Sequence, residues 1–278
     1  MNGPGLGGIM KTKLGFIGLG EMGLPMAKNL AGKGYPLSVY DVDPEPLRQL
    51  TELGAVAAAG PDAVAEYADF VMIIVRTTDQ VRNVIFGANG IATAASPPSA
   101  VAVMSTISPL DAREMAAKAN EKGIGFIDAP VSGARLRAEL GELTIMVGGD
   151  TGIFKEFSDV LEVLGRYVVH VGDVGAGQTV KLINNMLLLI NMCGAHEAKA
   201  LVDAAGLDLK TVFDIVRVST GKSWVVDNWE TVDGWKTNYV SGGTLDIVYK
   251  DIDTTLYLGE KKRVPLYLSA LAKQMVRY

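Results

Sequence analysis

Three glycines in a GxGxxG spacing, Gly18-Leu19-Gly20-Glu21-Met22-Gly23, are the residues whose pattern points most directly to chemistry. They follow the apolar run in KLGFIG and open a segment of helical pattern, the context that turns a common pattern into a dinucleotide-binding one. Gly18 permits a tight turn, Gly20 lets backbone approach a pyrophosphate with no Cβ between, and Gly23 allows a helix to pack closely on a strand. The unpaired N–H groups at the start of that helix, with its positive dipole end, face the phosphates, so all six residues are candidate cofactor ligands. Asp41, at the end of the next apolar block, can accept hydrogen bonds from adenosine ribose hydroxyls and repel a 2′-phosphate. No arginine stands beside it, the nearest being Arg48 in the following helix, so NAD is expected in preference to NADP. Asp43 is the competing carboxylate.

The elements that must hold this loop are written as an alternation. A helical pattern over 22–33 is closed by Gly34, and 37–40 has the length of a buried parallel strand. Helices follow at 44–53, 62–67, 80–86 and 109–121, with strands at 55–57, 70–75, 100–104 and 125–128. Further strands are expected at 144–147 and 168–171 around a helix at 152–164. This spacing implies an α/β fold with a Rossmann-type, doubly wound and mostly parallel sheet over residues 13–177. Beyond Gly177 the apolar residues take helical spacing. One long helix over 178–206 is expected to lead into an all-α domain, 178–278, with helices at 209–218, 245–261 and 266–277. Residues 1–12, glycine-rich at their start, read as a flexible leader.

Composition narrows the function. Apolar residues make up 49% and charged residues 21%, which is globular composition. A net charge of −5 argues against a nucleic-acid partner and supplies no polybasic membrane patch, and no apolar stretch has the length of a membrane span. The single cysteine, Cys193, excludes an intrachain disulfide and any multi-cysteine metal site, and points to a reducing, cytoplasmic compartment. With only His170 and His196, no metal is expected, and both histidines read as packed or solvent-facing. Trp224, Trp229 and Trp235 read as core or interface packing.

The segment GFIGLGEMGLPMAKNL resembles the N-terminal signature of the β-hydroxyacid dehydrogenase family, which includes 3-hydroxyisobutyrate dehydrogenases and tartronate semialdehyde reductases. Further blocks follow in the family's order: STISP at Ser105 to Pro109, DAPVSG at Asp128 to Gly133 with ELTIMVGG after it, GAGQTVKLINN at Gly175 to Asn185, and YKDI at Tyr249 to Ile252. The resemblance implies a Rossmann-type domain, a long connecting helix, an all-α second domain, an active site between them, and a homodimer or homotetramer assembled through the helical domain. It also implies roles. Lys181 matches the catalytic lysine, Asn185 the substrate-binding asparagine, and Ser132 with Gly133 the pair that holds the substrate carboxylate. Thr106 matches a residue beside the nicotinamide, and Lys250 one that lines the closed site around the cofactor. The implied activity is NAD-dependent interconversion of a small β-hydroxy acid and its semialdehyde or ketone. NADPH-dependent reduction of a short aldehyde acid is the alternative that Asp41 disfavours. A catalytically silent nucleotide-sensing protein on the same fold is the alternative that Lys181 and Asn185 disfavour.

The chemistry of these residue types supports the implied roles. Oxidising an alcohol requires a group that takes the hydroxyl proton while hydride leaves the carbon, and a lysine amine can be that group. Burial would lower its pKa, and a bound carboxylate would raise it. Asn185, four residues after Lys181, shares its helical face. The Ser132 hydroxyl and the unhindered backbone of Gly133 suit a carboxylate. The chain departs from the family at Ala134 and Arg137, where glycines are common. Arg137 and the nearby Arg135 either recognise a second anionic group or are solvent-facing charges on a loop. Arg76 stands where relatives usually carry proline, in a turn beside the cofactor. Against the family's usual length, Tyr278 falls inside a predicted helix and reads as an early C-terminus.

Overall fold

In a computed structural model, which describes residues 11–237 and 243–275, four fully buried residues form β1 (Leu14–Ile17) and the glycine loop turns the chain into α1 (Gly23–Gly32). The alternation continues through β2 (Leu37–Tyr40), α2 (Pro44–Thr51), β3 (Val56–Ala57), α3 (Pro61–Tyr67) and β4 (Phe70–Ile73). It goes on through α4 (Thr78–Phe86), β5 (Ala100–Val103), α5 (Pro109–Asn120) and β6 (Gly125–Asp128). The runs FVMI and AVAV carry no polar alternation because both faces of these strands are buried. Helix starts are set locally: Pro44, Pro61 and Pro109 open helices, while Asp43, Thr77 and Ser108 accept orphan N–H groups.

The sheet order is β3-β2-β1-β4-β5-β6, all in parallel register. Strand order reverses between β1 and β4, so the ends of these strands at Ile17 and Ile73 flank the crevice in which open α/β sheets take ligands. The sheet is extended by β7 (Val131–Ser132), β8 (Leu143–Gly149) and β9 (Gly165–Gly172), with β8 antiparallel to β6 and β7 and parallel to β9. α6 (Ala134–Leu140) and α7 (Thr151–Leu164) connect them. One apolar layer gathers Phe16, Met26, Leu30, Phe70 and Phe157, and another gathers Val64, Val71, Val101, Met115 and Phe126. Phe70 and Phe157 stack with ring centroids 4.0 Å apart.

α6 corrects the loop expected around Arg135 and Arg137. Its seven residues are too few to show a helical period, yet ARLRAEL is rich in helix formers. Arg135 Nε bonds Glu139 Oε1 one turn later at 2.8 Å, and left-handed Gly141 ends the helix.

α8 (Ala176–Ala204) is a single helix of 29 residues. The chain divides into two compact units, one ending at Thr179 and the other starting at Val180. The second unit continues with α9 (Leu209–Arg217), α10 (Trp224–Asp227), α11 (Trp229–Thr237), α12 (Thr244–Lys262) and α13 (Tyr267–Met275). α10 and α11, absent from the sequence expectation, are short and are held by a shared cluster of Met192, Phe213, Val225, Val226, Trp229 and Val232. Trp229 is core, whereas Trp224 is half exposed and stacks on Trp235 with ring centroids 6.1 Å apart. His196 Nδ1 is 2.8 Å from the Met192 carbonyl, and His170 in β9 lies 2.8 Å from that of Gly149. Cys193 is half-buried, and burial pushes its thiol pKa up. No helix among the described residues is long and apolar enough to cross a membrane. Residues 1–10 of the expected leader and 276–278 at the end of the last expected helix lie outside the described residues.

Candidate active site

Gly18 has φ +94°, a left-handed conformation, and a Cβ there would overlap the carbonyl oxygen of Ile74 just beyond β4. A Cβ on Gly23 would overlap the carbonyl oxygen of Gly18. The loop is therefore folded back on its own helix and against the neighbouring strand. Gly20 differs, because a Cβ there would meet nothing within 4 Å. The fold does not require Gly20 to be glycine; a ligand approaching the backbone would. α1 has no side-chain cap and no acid in its first turn, so its starting N–H groups suit an anion. Leu19 turns its side chain into the core, while Glu21 is exposed and Met22 half-buried.

The carboxylate of Asp41 joins this loop to the turn after β2: one oxygen accepts from Leu19 N–H and the other from Asp43 N–H at 2.9 Å. Asp43 caps α2, accepting from Glu45 N–H at 3.0 Å. The two candidate carboxylates thus have different work. Arg48 is ion-paired with Glu45 and Glu52 on its own helix, and Val42 beside Asp41 is 89% exposed. Arg48, the arginine nearest Asp41 in sequence, is thus occupied by two carboxylates.

Thr106 is half-buried between buried Ser105 and Ile107 in the loop after β5. Ser105 Oγ accepts from Val75 N–H at 2.7 Å, tying this loop to the one that carries Arg76. Arg76 is itself exposed, and its N–H bonds the Gln80 side chain at 2.9 Å in the Thr77 capping box. At the end of β6, Asp128 is fully buried and accepts from Gly175 N–H at 2.6 Å and Gln178 N–H at 2.7 Å, where α8 begins. Burial pushes its carboxyl pKa up against the lowering effect of those N–H groups.

Ser132 ends β7, paired with Thr144, and Gly133 follows at φ +140°. Ala134 then takes φ +57°, so this chain holds an alanine in the left-handed region, at a cost of about 1–2 kcal/mol relative to an ordinary backbone conformation. Glycine would adopt that conformation without a steric cost.

In the second unit, Lys181 and Asn185 stand one turn apart on α8. Asn185 is buried; its Nδ2 donates to Asp251 Oδ2 at 2.6 Å, and its Oδ1 accepts from Asn184 at 3.0 Å. Asp251, on α12, is fully buried, and its other oxygen lies 3.1 Å from Lys250 Nζ. The half-buried Lys181 has its pKa lowered, chiefly by burial and further by Lys250, while the carboxylate of Asp251 pulls the other way. An amine held towards its neutral form, beside an amide oriented by a buried carboxylate, is suited to exchanging a proton with a substrate hydroxyl. An open concavity of about 390 Å³ lined by Arg113, Gly149, Asp150, Thr151, Asp173 and Val174 contains none of these residues.

Residues 13–172 match the NAD-binding domain of 6-phosphogluconate dehydrogenase, and residues 175–278 match the "NAD-binding of NADP-dependent 3-hydroxyisobutyrate dehydrogenase" domain. The mouse mitochondrial 3-hydroxyisobutyrate dehydrogenase is 39% identical over 273 residues, 96% of this chain and 82% of the relative. This chain belongs to the β-hydroxyacid dehydrogenase family. Within that family, 2-(hydroxymethyl)glutarate dehydrogenase of Eubacterium barkeri is 36% identical, over 95% of this chain and 87% of the relative. The solved Mycobacterium tuberculosis 3-hydroxyisobutyrate dehydrogenase with L-serine superposes with a TM-score of 0.86 at 29% identity, covering 96% of this chain and 93% of that one. The chain is accordingly an NAD(P)-dependent hydroxyacid dehydrogenase by descent and fold.

Asp251, Asp128, Ser105 and Gln178 were not singled out from sequence, although all lie inside quoted motifs. A signal existed for two of them. Asp251 shares a helical face with Val248, Ile252, Thr255 and Gly259, and Asp128 ends a buried strand; an acid on an apolar face needs a partner.

Proposed function

We propose that this chain is an NAD-dependent dehydrogenase that interconverts a small β-hydroxy acid and its semialdehyde or ketone, with Lys181 as acid/base. The observation that carries the reading is the amine of Lys181, its pKa lowered by burial and its surroundings ordered by Asn185 and Asp251. A nicotinamide dinucleotide held by the Gly18 to Gly23 loop and Asp41 would supply the hydride acceptor for oxidation and the hydride donor for reduction. Neutral Lys181 takes the hydroxyl proton during oxidation, and as an ammonium it gives that proton back to the carbonyl oxygen during reduction. Asn185 orients the reacting oxygen, and Ser132 with the backbone of Gly133 anchors the substrate carboxylate. Gly18 to Gly23 hold the pyrophosphate, Asp41 the adenosine ribose, and Thr106 and Lys250 flank the nicotinamide end. The charge of Asp41, which would repel a 2′-phosphate, and the pairing of Arg48 with Glu45 and Glu52 support NAD over NADP. Exposed Tyr267, Leu268 and Leu271 on α13 support assembly as a homodimer or homotetramer, and a single cysteine suits the cytoplasm.

The test is a panel of serine, 3-hydroxyisobutyrate, glycerate, threonate and a sulfonated analogue with NAD and NADP, followed by the absorbance of the reduced cofactor. Turnover preferring NAD is expected. Lys181→Ala should lower kcat by roughly 10²–10⁴-fold and leave NADH binding intact. Near-normal turnover in that variant would remove Lys181 from its role. Tight NADH binding with no turnover of any hydroxy acid would favour the silent binding protein.

A further inference from the structure

Gln178 lies in the first turn of α8 and is fully buried. Its side-chain amide makes two hydrogen bonds to the loop after β5: Oε1 accepts from Ile107 N–H at 3.0 Å, and Nε2 donates to the Ser105 carbonyl at 2.8 Å. The residue between those two contacts is Thr106. A glutamine amide thus grips the main chain on both sides of Thr106, much as a neighbouring strand would. The backbone of Gln178 is itself held, because its N–H donates to Asp128 Oδ2 at 2.7 Å. One continuous set of hydrogen bonds, all buried but the part-buried first, therefore runs from Val75 through Ser105 and Gln178 to Asp128 and Gly175. It joins the ends of β4, β5 and β6 to the start of the helix whose next turn carries Lys181.

We infer that Gln178 is a positioning residue for the reaction, a clamp that sets Thr106 against the first turn of α8, with Asp128 as the anchor of the clamp. The inference rests on the reading that Thr106 flanks the nicotinamide and Lys181 carries the proton. Buried main-chain groups need partners wherever they lie, so satisfying Ile107 and Ser105 does not by itself demand this device. The particular requirement is for a side chain with one donor and one acceptor at fixed reach. Asparagine is one methylene too short to span both contacts, and an ionised glutamate would set an acceptor against the Ser105 carbonyl. Hydride and proton transfer require the donor and acceptor atoms to be held within a fraction of an ångström, and a displacement of about 1 Å can cost roughly 10²-fold in rate. A clamp on the loop beside the reacting ring acts on that tolerance.

Two variants of the full-length protein test this. Gln178→Met keeps the volume and removes both hydrogen bonds. We expect kcat to fall by roughly 10²-fold, with substrate KM and NADH Kd changed by less than about threefold, about 0.65 kcal/mol. Gln178→Glu supplies the signature that packing alone would not give. When protonated, its carboxyl is nearly isosteric with the amide and restores both the donor and the acceptor. The ratio of its kcat to wild type, measured in the reductive direction, should therefore climb towards one as pH falls and drop as pH rises. Gln178→Met retaining kcat within twofold would overturn the proposal. A fall in kcat matched by equal losses in NADH affinity and melting temperature, with a pH-independent Gln178→Glu ratio, would reduce Gln178 to a purely structural part. The emission of bound NADH gives a reading that needs no turnover: in Gln178→Met it should shift towards that of free NADH while Kd holds. Wild type that turns over no hydroxy acid would refute the proposed activity, and the NADH emission would still decide the clamp, an unshifted spectrum counting against it.

Discussion

Gly20→Ala separates what the fold needs from what the cofactor needs. A methyl group on Gly20 meets nothing within 4 Å, and the residue lies outside the left-handed region, so the folded chain accommodates alanine without overlap. Alanine also has fewer unfolded conformations to lose, which favours the folded state by about 0.4–1 kcal/mol. The free protein should melt at the wild-type temperature or slightly above it. Binding should move the other way. The new methyl stands where the pyrophosphate would approach the backbone, and an overpacked contact costs about 1–3 kcal/mol, which weakens NADH roughly 5- to 150-fold. Gly23→Ala is the internal control, because its Cβ would overlap the Gly18 carbonyl oxygen and force α1 away from the loop. That variant should lose melting temperature and NADH affinity together. Thermal melts with and without NADH, and titration of NADH fluorescence, read all these quantities. Gly20→Ala that binds NADH as wild type does would refute the pyrophosphate site. Gly20→Ala that melts several degrees lower would show that the fold itself demands glycine there.

Asp251→Asn keeps an acceptor for Asn185 but removes the charge that holds the Lys181 pKa up; since oxidation needs the neutral amine, the acidic limb of kcat/KM for oxidation should move to lower pH, and an unmoved limb would disconnect the two residues. Lys181→Met should make the chain more stable at neutral pH. The folded-state pKa of Lys181 lies below its unfolded value, so the penalty for burying the ammonium is fully present below the folded pKa and disappears above the unfolded one. Denaturant melts across pH should show the stability advantage of Lys181→Met shrinking as pH rises. Phe157→Ala removes a buried ring stacked on Phe70 and should cost about 3–5 kcal/mol of stability, with the cofactor affinity of the folded fraction unchanged.

Much of this architecture was legible because its determinants are local. Buried parallel strands such as FVMI and AVAV announce themselves as short apolar runs, and the glycine loop sits at the one junction where strand, turn and helix patterns meet. The long helix was visible within two residues at either end, since 29 residues of apolar spacing leave little ambiguity. α6, α10 and α11 were not visible: each is short, and the last two are held by packing around Phe213 and Trp229 rather than by their own period. Arg135 had two open roles in sequence, and the helix places Glu139 against it.

By itself the sequence determined the order of strands and helices apart from β7, α6, α10 and α11, the place of the dinucleotide loop, and the residues Lys181, Asn185, Ser132 and Asp41 as those to watch. Only the tertiary structure decided that Asp43 is a helix cap while Asp41 closes on the glycine loop, that Asp251 orients Asn185, and that Gln178 grips the main chain around Thr106. The physical reason is range. Propensity, capping and apolar period act over a few residues, whereas these hydrogen bonds join groups 22 to 73 positions apart, apart from the local cap. A buried polar atom finds its partner only after the whole chain has chosen its layers.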